Sequence, residues 1–297
     1  MAVHNGTNFI DETIASVLAQ SHEALELLVV DDGSTDTTRD LVRGWAQRDP
    51  RVKLLKRGHA GQALALNEGI AEAQGAYLAR IDHDDLWHRD RLAAQIIHMT
   101  ENSLDVCGSW VRRFGDASDV IRFPCGHEAI RYEALFTCPI LDSATLFRGE
   151  VLRENPYPPS AVVRTEMVQL LHLLPRYRTA NLPRILTDYR IHPSQKTNRL
   201  VALAAYRQRQ LQMQHLAQLV PQADADERSL FDLAVGNAPL GQDELERIAD
   251  LFVRRLRSPD REARERVVLH WRRLVSRSAD AEAAQALRDR LDMDFLA

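Results

Sequence analysis

Cysteine is scarce in this 297-residue sequence, with Cys107, Cys125 and Cys138 the only three. A small, odd number without CxxC spacing or a nearby histidine pattern excludes a disulfide scaffold and a zinc finger, and it fits a reducing compartment. Long apolar runs are lacking too. No stretch reaches the roughly 18 apolar residues a membrane span needs, so none is expected. The opening MAVHNG has neither a basic region nor an apolar one, so no secretory signal is expected. Lysine is nearly absent: only Lys53, Lys56 and Lys196 stand among 38 basic residues, and no mechanism is read from that bias. Positive charge is not in excess, because the net charge is -4, which speaks against a nucleic-acid binder working by bulk electrostatics. Repeats and low-complexity tracts are also missing. What remains is an ordinary globular composition, 45% hydrophobic and 27% charged. The chain is long enough for one large domain or two smaller ones, at about 150 residues each.

The first half alternates between two periods. Helical spacing over 9–20, 36–47, 61–74 and 89–101 is interleaved with short apolar runs at 25–30, 52–55 and 76–81. That alternation predicts an α/β fold with a mostly parallel sheet covered by helices. Residues 105–114 and 142–148 read as later strands, 163–174 as a helix, and ILTDYRIH as an extended piece between Pro183 and Pro193. From about 200 the pattern becomes all-helical, over 200–220, 226–236, 242–257, 260–277 and 280–291. The expected division is therefore 1–198 and 199–297. The start is unusual, since only Met1, Ala2 and Val3 precede His4-Asn5-Gly6, too few for a typical strand.

Ligands in open α/β sheets bind beyond the carboxyl ends of the strands. Two acidic clusters fall there, Asp31-Asp32 and Asp82/Asp84/Asp85. Asp31-Asp32-Gly33-Ser34 also reads as a turn and helix cap, although neither needs two adjacent carboxylates. Three carboxylates within four residues repel one another unless a cation sits among them. Hard divalent cations such as Mg²⁺ or Mn²⁺ prefer oxygen ligands and are often held by one or two carboxylates plus substrate phosphates. The plain alternative is a solvated acidic loop at the N-terminus of the 89–101 helix. His192 and Glu166 also read locally as structural residues, Glu166 as a favourable charge at a helix start; a carboxylate aimed into a cleft is instead a general base.

Together, Asn5-Gly6, LLVVDDGSTD at 27–36, ALNEGIAEAQGAYLARIDHDD at 65–85, RDRL at 89–92, DVCGSW at 105–110, ANLP at 180–183 and YRIHPSQ at 189–195 resemble family 2 glycosyltransferases of the GT-A fold, over roughly residues 1–198. The resemblance implies a Rossmann-like mixed sheet and inverting transfer of a sugar from a nucleotide-diphosphate donor (UDP-, GDP- or dTDP-linked) to an acceptor hydroxyl. It also implies a saccharide or lipid-linked acceptor and a place in cell-envelope or surface polysaccharide synthesis. It puts Asp32 at the base-reading carboxylate with Asp31 beside it, Asp84 at the donor ribose or sugar, and Asp82 in support. Asp85 and His192 fall at the metal positions for Mg²⁺ or Mn²⁺, and Glu166 at the catalytic base. His4 and Asn5 fall in the nucleotide pocket, His4 where an aromatic Tyr is usual.

The sequence departs from the family at two further places. The opening strand is nearly absent, which predicts a gap in the sheet and an upstream start. The base motif reads Thr165-Glu166-Met167 rather than Glu-Asp with an aromatic-rich helix. A binding protein of the same fold, holding a nucleotide sugar without turnover, is the alternative reading. The helical tail is expected to cap the first unit or form a homodimer surface. Its alternative, suggested by LERIADLFVRRLR at 245–257, is to rest on an anionic membrane surface from the cytoplasmic side.

Overall fold

The computed structural model describes residues 1–195, 200–236, 240–276, 285 and 287. The chain forms two compact units, Met1–Phe123 with Ile140–Val201, and Pro124–Pro139 with Ala202–Ala297. The segment 124–139, which the sequence reading kept with the first unit, thus belongs to the helical one. The expected helix over 280–291 lies outside the described residues except at 285 and 287.

The first unit opens with β1 (Ala2–Val3), α1 (Ile10–Leu18), β2 (Leu27–Asp32), α2 (Thr38–Arg48), β3 (Val52–Arg57), α3 (Gln62–Glu72) and β4 (Tyr77–Ala79). It continues through β5 (Leu86–Trp87), α4 (Arg91–Glu101), β6 (Val106–Gly115) and β7 (Val120–Ile121). After α5 (His127–Glu133), which lies in the second unit, the chain returns with a 3₁₀ turn (Asp142–Ala144), β8 (Leu146–Arg148), α6 (Gly149–Glu154), α7 (Thr165–Leu173) and β9 (Thr179–Ile191). β1, β2 and β3 form a parallel three-stranded sheet. β2 is buried along its whole length, as its uninterrupted apolar run requires of a strand covered on both faces. A second sheet runs in the order β4-β8-β6-β9-β5, with β7 beside β6. There β6 and β9 are parallel and the other pairs antiparallel, so the parallel character is confined to one pairing.

Val3, Ile10, Ile14, Val29, Ile81 and Met99 pack in one core that joins strands and helices of this unit. Arg91 is fully buried in the same region. Its guanidinium donates to Gln95 Oε1 at 3.0 Å, Arg80 O at 3.2 Å and Thr145 O at 3.0 Å, and lies 3.9 Å from the Trp87 ring centre. Arg91, the second arginine of RDRL, therefore ties α4 to the strand ends on which the acidic loop is mounted.

The second unit contains α5, α8 (Val201–Leu219, which starts at the unit boundary), α9 (Ala225–Val235), α10 (Gln242–Arg255) and α11 (Arg261–Val275). Leu216, Phe231, Ile248, Phe252, Val267 and Trp271 are central to its core. The apolar stripe of α10 is buried inside this unit, and Arg255 at its end meets Glu227 at 3.0 Å. That stripe acts as core, so a membrane or a second copy would have to be met by other residues. α9 starts with a reciprocal cap: Asp224 Oδ1 accepts from the Glu227 N–H at 2.8 Å, and Glu227 Oε2 accepts from the Asp224 N–H at 3.2 Å. Asp224→Ala should lower stability by about 1 kcal/mol, read as a shifted urea midpoint with unchanged slope.

Candidate active site

Two loops at strand ends carry the acidic residues. The first follows β2. Gly33 sits at φ +73, and a Cβ there would meet the His59 backbone nitrogen at 2.7 Å, so both the turn and the close approach need glycine. Asp31 is fully buried; its Oδ2 meets Arg39 Nη2 at 2.6 Å and its Oδ1 accepts from the Ser34 N–H at 3.1 Å. It holds the turn and is shielded from solvent. Asp32 accepts from the Ala60 N–H through Oδ1 and the Gly61 N–H through Oδ2, both at 2.9 Å, with Arg57 Nε 3.5 Å from Oδ1. His59 Nδ1 stands 3.0 Å from Oδ2, so each oxygen has a second polar neighbour. His4 Nδ1 donates to the Asp32 carbonyl at 2.9 Å, and its ring lies 4.2 Å from that of His59. The two imidazoles form a short aromatic ledge above Asp32. Asn5, at φ +56, holds the same loop: its Oδ1 accepts from the Thr35 N–H and its own N–H donates to Ser34 Oγ, both at 2.9 Å. His59 was not legible as a site residue, since nothing in RGHAGQ links it to Asp32 across 27 positions.

The second loop follows β4. Asp82 Oδ1 is 3.2 Å from Arg80 Nη2 and 3.3 Å from Gln62 Nε2. Asp84 Oδ2 lies 3.0 Å from His192 Nε2, while His192 Nδ1 is 2.7 Å from Ser194 Oγ. Asp85 is fully buried. Its Oδ1 accepts from the Arg190 N–H at 2.9 Å, and its Oδ2 has no hydrogen-bond partner among the described residues. Burial, with the nearby Asp84 and Asp82 charges, pushes its carboxyl well above the usual range. A buried, unsatisfied carboxylate oxygen is costly unless something cationic or protic meets it. Arg190 pins the whole loop: its Nε donates to Asp84 O at 2.8 Å, and its guanidinium lies between the Phe9 and Phe114 rings at 4.5 and 4.4 Å.

No three His, Cys, Asp or Glu side chains among the described residues converge as a ready-made metal centre. The set is partial: the orphaned Asp85 Oδ2, with Asp84 and His192 alongside. Such an oxygen-rich partial set fits a hard divalent cation that takes its remaining ligands from phosphate and water.

Glu166 is the second residue of α7, whose N-cap Arg164 is in the left-handed conformation at φ 54. The Glu166 side chain is 24% exposed, and Arg164 Nη1 stands 3.9 Å away. Burial, reinforced by the Asp142 and Asp82 charges, raises its carboxyl to about 7. Asp142 is part of a cluster that the sequence did not reveal: Arg80 Nη2 meets its Oδ2 at 3.0 Å, and the Tyr157 hydroxyl lies 3.4 Å from its Oδ1. A carboxyl held up in this way favours the folded state most at low pH and loses that advantage as pH rises from about 4.5 through about 7. Glu166→Gln, neutral throughout, should therefore match the parent near pH 4.5 and exceed it at pH 8, by up to about 3 kcal/mol. Denaturant melts at both pH values in EDTA check this; an equal difference at the two would refute it.

Acidic loops at strand ends, an aromatic ledge and a carboxyl raised to about 7 make up the candidate site of this α/β unit. Residues 1–140 match the family described as Glycosyl transferase family 2. It is 37% identical over 172 residues to an uncharacterized glycosyltransferase of Haemophilus influenzae, covering 58% of this chain and 63% of that protein. It is 27% identical over 216 residues to the O-antigen biosynthesis glycosyltransferase WbnJ of Escherichia coli, covering 69% of this chain and 83% of WbnJ. Of a longer uncharacterized Rickettsia conorii glycosyltransferase, 32% identical over 163 residues, it spans 26%. In fold it is similar to S. aureus TarS 1-349 in complex with UDP, with TM-score 0.59, 14% identity, 99% of this chain and 87% of that one. It is also similar to the mannosyltransferase PcManGT of Pyrobaculum calidifontis in complex with GDP-Man and Mn²⁺, with TM-score 0.54, 20% identity, 98% and 78%.

Proposed function

We propose that this glycosyltransferase moves a sugar from a nucleoside-diphosphate sugar to an acceptor hydroxyl with inversion at the anomeric carbon. The observation that carries this reading is the orphaned Asp85 Oδ2 set among Asp82, Asp84 and His192. Asp85 and His192, with Asp84 beside them, would hold Mg²⁺ or Mn²⁺, whose charge would offset that building on the departing diphosphate. His4 and His59 flank the nucleobase above Asp32, and Asn5 and Asp31 keep that loop in shape. Asp82 and Asp84 face the donor ribose and sugar. Glu166 takes the proton of the acceptor hydroxyl as that oxygen bonds to C1; the C1–O bond to the diphosphate breaks on the opposite face, and the centre inverts. The complexes of TarS with UDP and of PcManGT with GDP-Man and Mn²⁺ support a nucleotide-sugar donor and a divalent cation. The name of WbnJ supports surface polysaccharide synthesis, with a saccharide or lipid-linked acceptor. We place the activity in the cytoplasm, in keeping with the buried Cys107 thiol.

The test is a thermal shift with UDP, GDP and dTDP, each with and without Mn²⁺. One nucleotide should stabilise the chain only when Mn²⁺ is present, by about 2.7 kcal/mol at one hundred times its dissociation constant. No shift with any pair would remove the donor site from this reading.

A further inference from the structure

The His59 imidazole sits where the base of a nucleotide would go. Its ring centre is 4.2 Å from that of His4, with 33° between the planes. Its Nδ1 stands 3.0 Å from both the Asp32 carbonyl and Asp32 Oδ2, so it presents a ring N–H to the Asp32 peptide and carboxylate together. A nucleobase read by this loop would make the same two contacts, one face on an aromatic ring and a ring N–H on the carboxylate. The two occupations exclude each other. A base packed between two rings needs about 3.5 Å to each face, or about 7 Å between the ring centres, and 4.2 Å is too close. The Asp32 side chain is only 4% exposed beneath a His59 side chain that is 62% exposed. The two imidazoles can therefore flank a base only after one has turned aside.

The surroundings say which one turns. Among the described residues His4 is engaged at both ring nitrogens: Nδ1 donates to the Asp32 carbonyl at 2.9 Å, and Nε2 accepts from Asn5 Nδ2 at 3.3 Å. His59 is engaged there through Nδ1 alone. The His59 backbone is fixed, because the Ala60 and Gly61 N–H groups bond Asp32 and its own nitrogen packs against Gly33. A Cβ on Gly58 or Gly61 would meet nothing within 4 Å, so the segment has open space at both ends. The movement is a rotation of the side chain, with the loop left in place.

We propose that His59 is a gate on the nucleobase subsite: its ring takes the place of the base when no donor is bound, and the arriving base turns it out. This rests on the donor-site reading given above. A base that must displace a seated ring binds more weakly, in proportion to the fraction of molecules whose seat is free. The diphosphate end of a donor carries no base and does not meet the gate.

The test removes the gate with His59→Ala, an exposed position at which truncation should leave the fold intact. Calorimetric titrations with Mn²⁺ compare UDP, GDP and dTDP with inorganic pyrophosphate on parent and variant. The nucleotide that binds should bind the variant about tenfold tighter, the factor for a seat filled in about nine molecules of ten, while pyrophosphate stays within about twofold. Equal or weaker nucleotide binding by the variant would overturn the gate and leave the donor site standing. Nucleotide and pyrophosphate tightening alike would overturn it as well, because the change would then be one of charge. Nucleotide binding by neither chain would overturn the donor-site reading and the gate with it. Imidazole ¹⁵N spectra of the parent are the second readout, with Mg²⁺ in place of paramagnetic Mn²⁺. Saturating nucleotide should release His59 Nδ1 from its hydrogen bond and leave that of His4 intact. A His59 signal that stays hydrogen-bonded with nucleotide in place would overturn the gate.

Discussion

Glu166→Gln should lower the rate of sugar transfer by about 10²–10⁴-fold while leaving donor binding within a factor of two or so. Glutamine matches glutamate in size and keeps the first-turn position on α7, but it cannot take a proton. The parent's turnover should rise with pH and level off near or below 7, because the carboxyl must be ionised to act and burial holds it up to about 7 without a metal. Asp85→Asn provides the contrast, because it removes the orphaned buried oxygen and should weaken Mn²⁺-dependent nucleotide binding along with transfer. Single-turnover rates and nucleotide titrations on both variants separate the roles. If Glu166→Gln transfers sugar at the parent rate, Glu166 is not the base. If neither parent nor variant turns over while nucleotide still binds, the chain is a binding protein of this fold.

The second large effect falls on stability. Arg91→Ala should cost about 3–5 kcal/mol. The truncation empties the space against Trp87 and strands Gln95 Oε1 and Arg80 O, which the guanidinium now serves. Thr145 O is less affected, because it also accepts from the Arg80 N–H at 3.0 Å. Burial lowers the Arg91 guanidinium to about 9, so the charge itself is expensive to keep. Arg91→Met, which refills the space without a charge, should recover part of the loss. Urea unfolding of the three chains decides it; an alanine variant within 1 kcal/mol of the parent would show that this network does not hold α4 to the strand ends.

Much of the frame could be read from periodicity. The spacing at 9–20, 36–47, 61–74 and 89–101 became α1, α2, α3 and α4, and LELLVV became the buried strand β2. Short elements escaped. α5 carries HEAIRYE, too brief for a period to stand out, and its stabilising partners lie far away: the Cys125 N–H donates to Glu262 across 137 positions. The 3₁₀ turn at Asp142 sat within a run that reads as strand. At the site, the acidic loops were visible because like charges crowd a few positions. The partners that set their chemistry were not. Arg80 to Asp142 spans 62 residues, and Arg190 to Asp84 spans 106; only the folded chain brings them together. His59 and Asp142 look ordinary until that happens.

The helical unit is stitched from two distant stretches, 124–139 and the region after 201. On a ribosome, which releases the chain from its N-terminus at about 5–20 residues per second, α5 emerges long before α11, the helix it packs against. For several seconds Ala129, Ile130 and Leu135, all shielded in the finished protein, have no cover from their own unit. Contacts of such long sequence separation also form late and slowly. A fragment ended near residue 200 would make that interval permanent. The natural cut for a shortened version is therefore not the end of β9 alone; it must also replace 124–139 with a short polar turn.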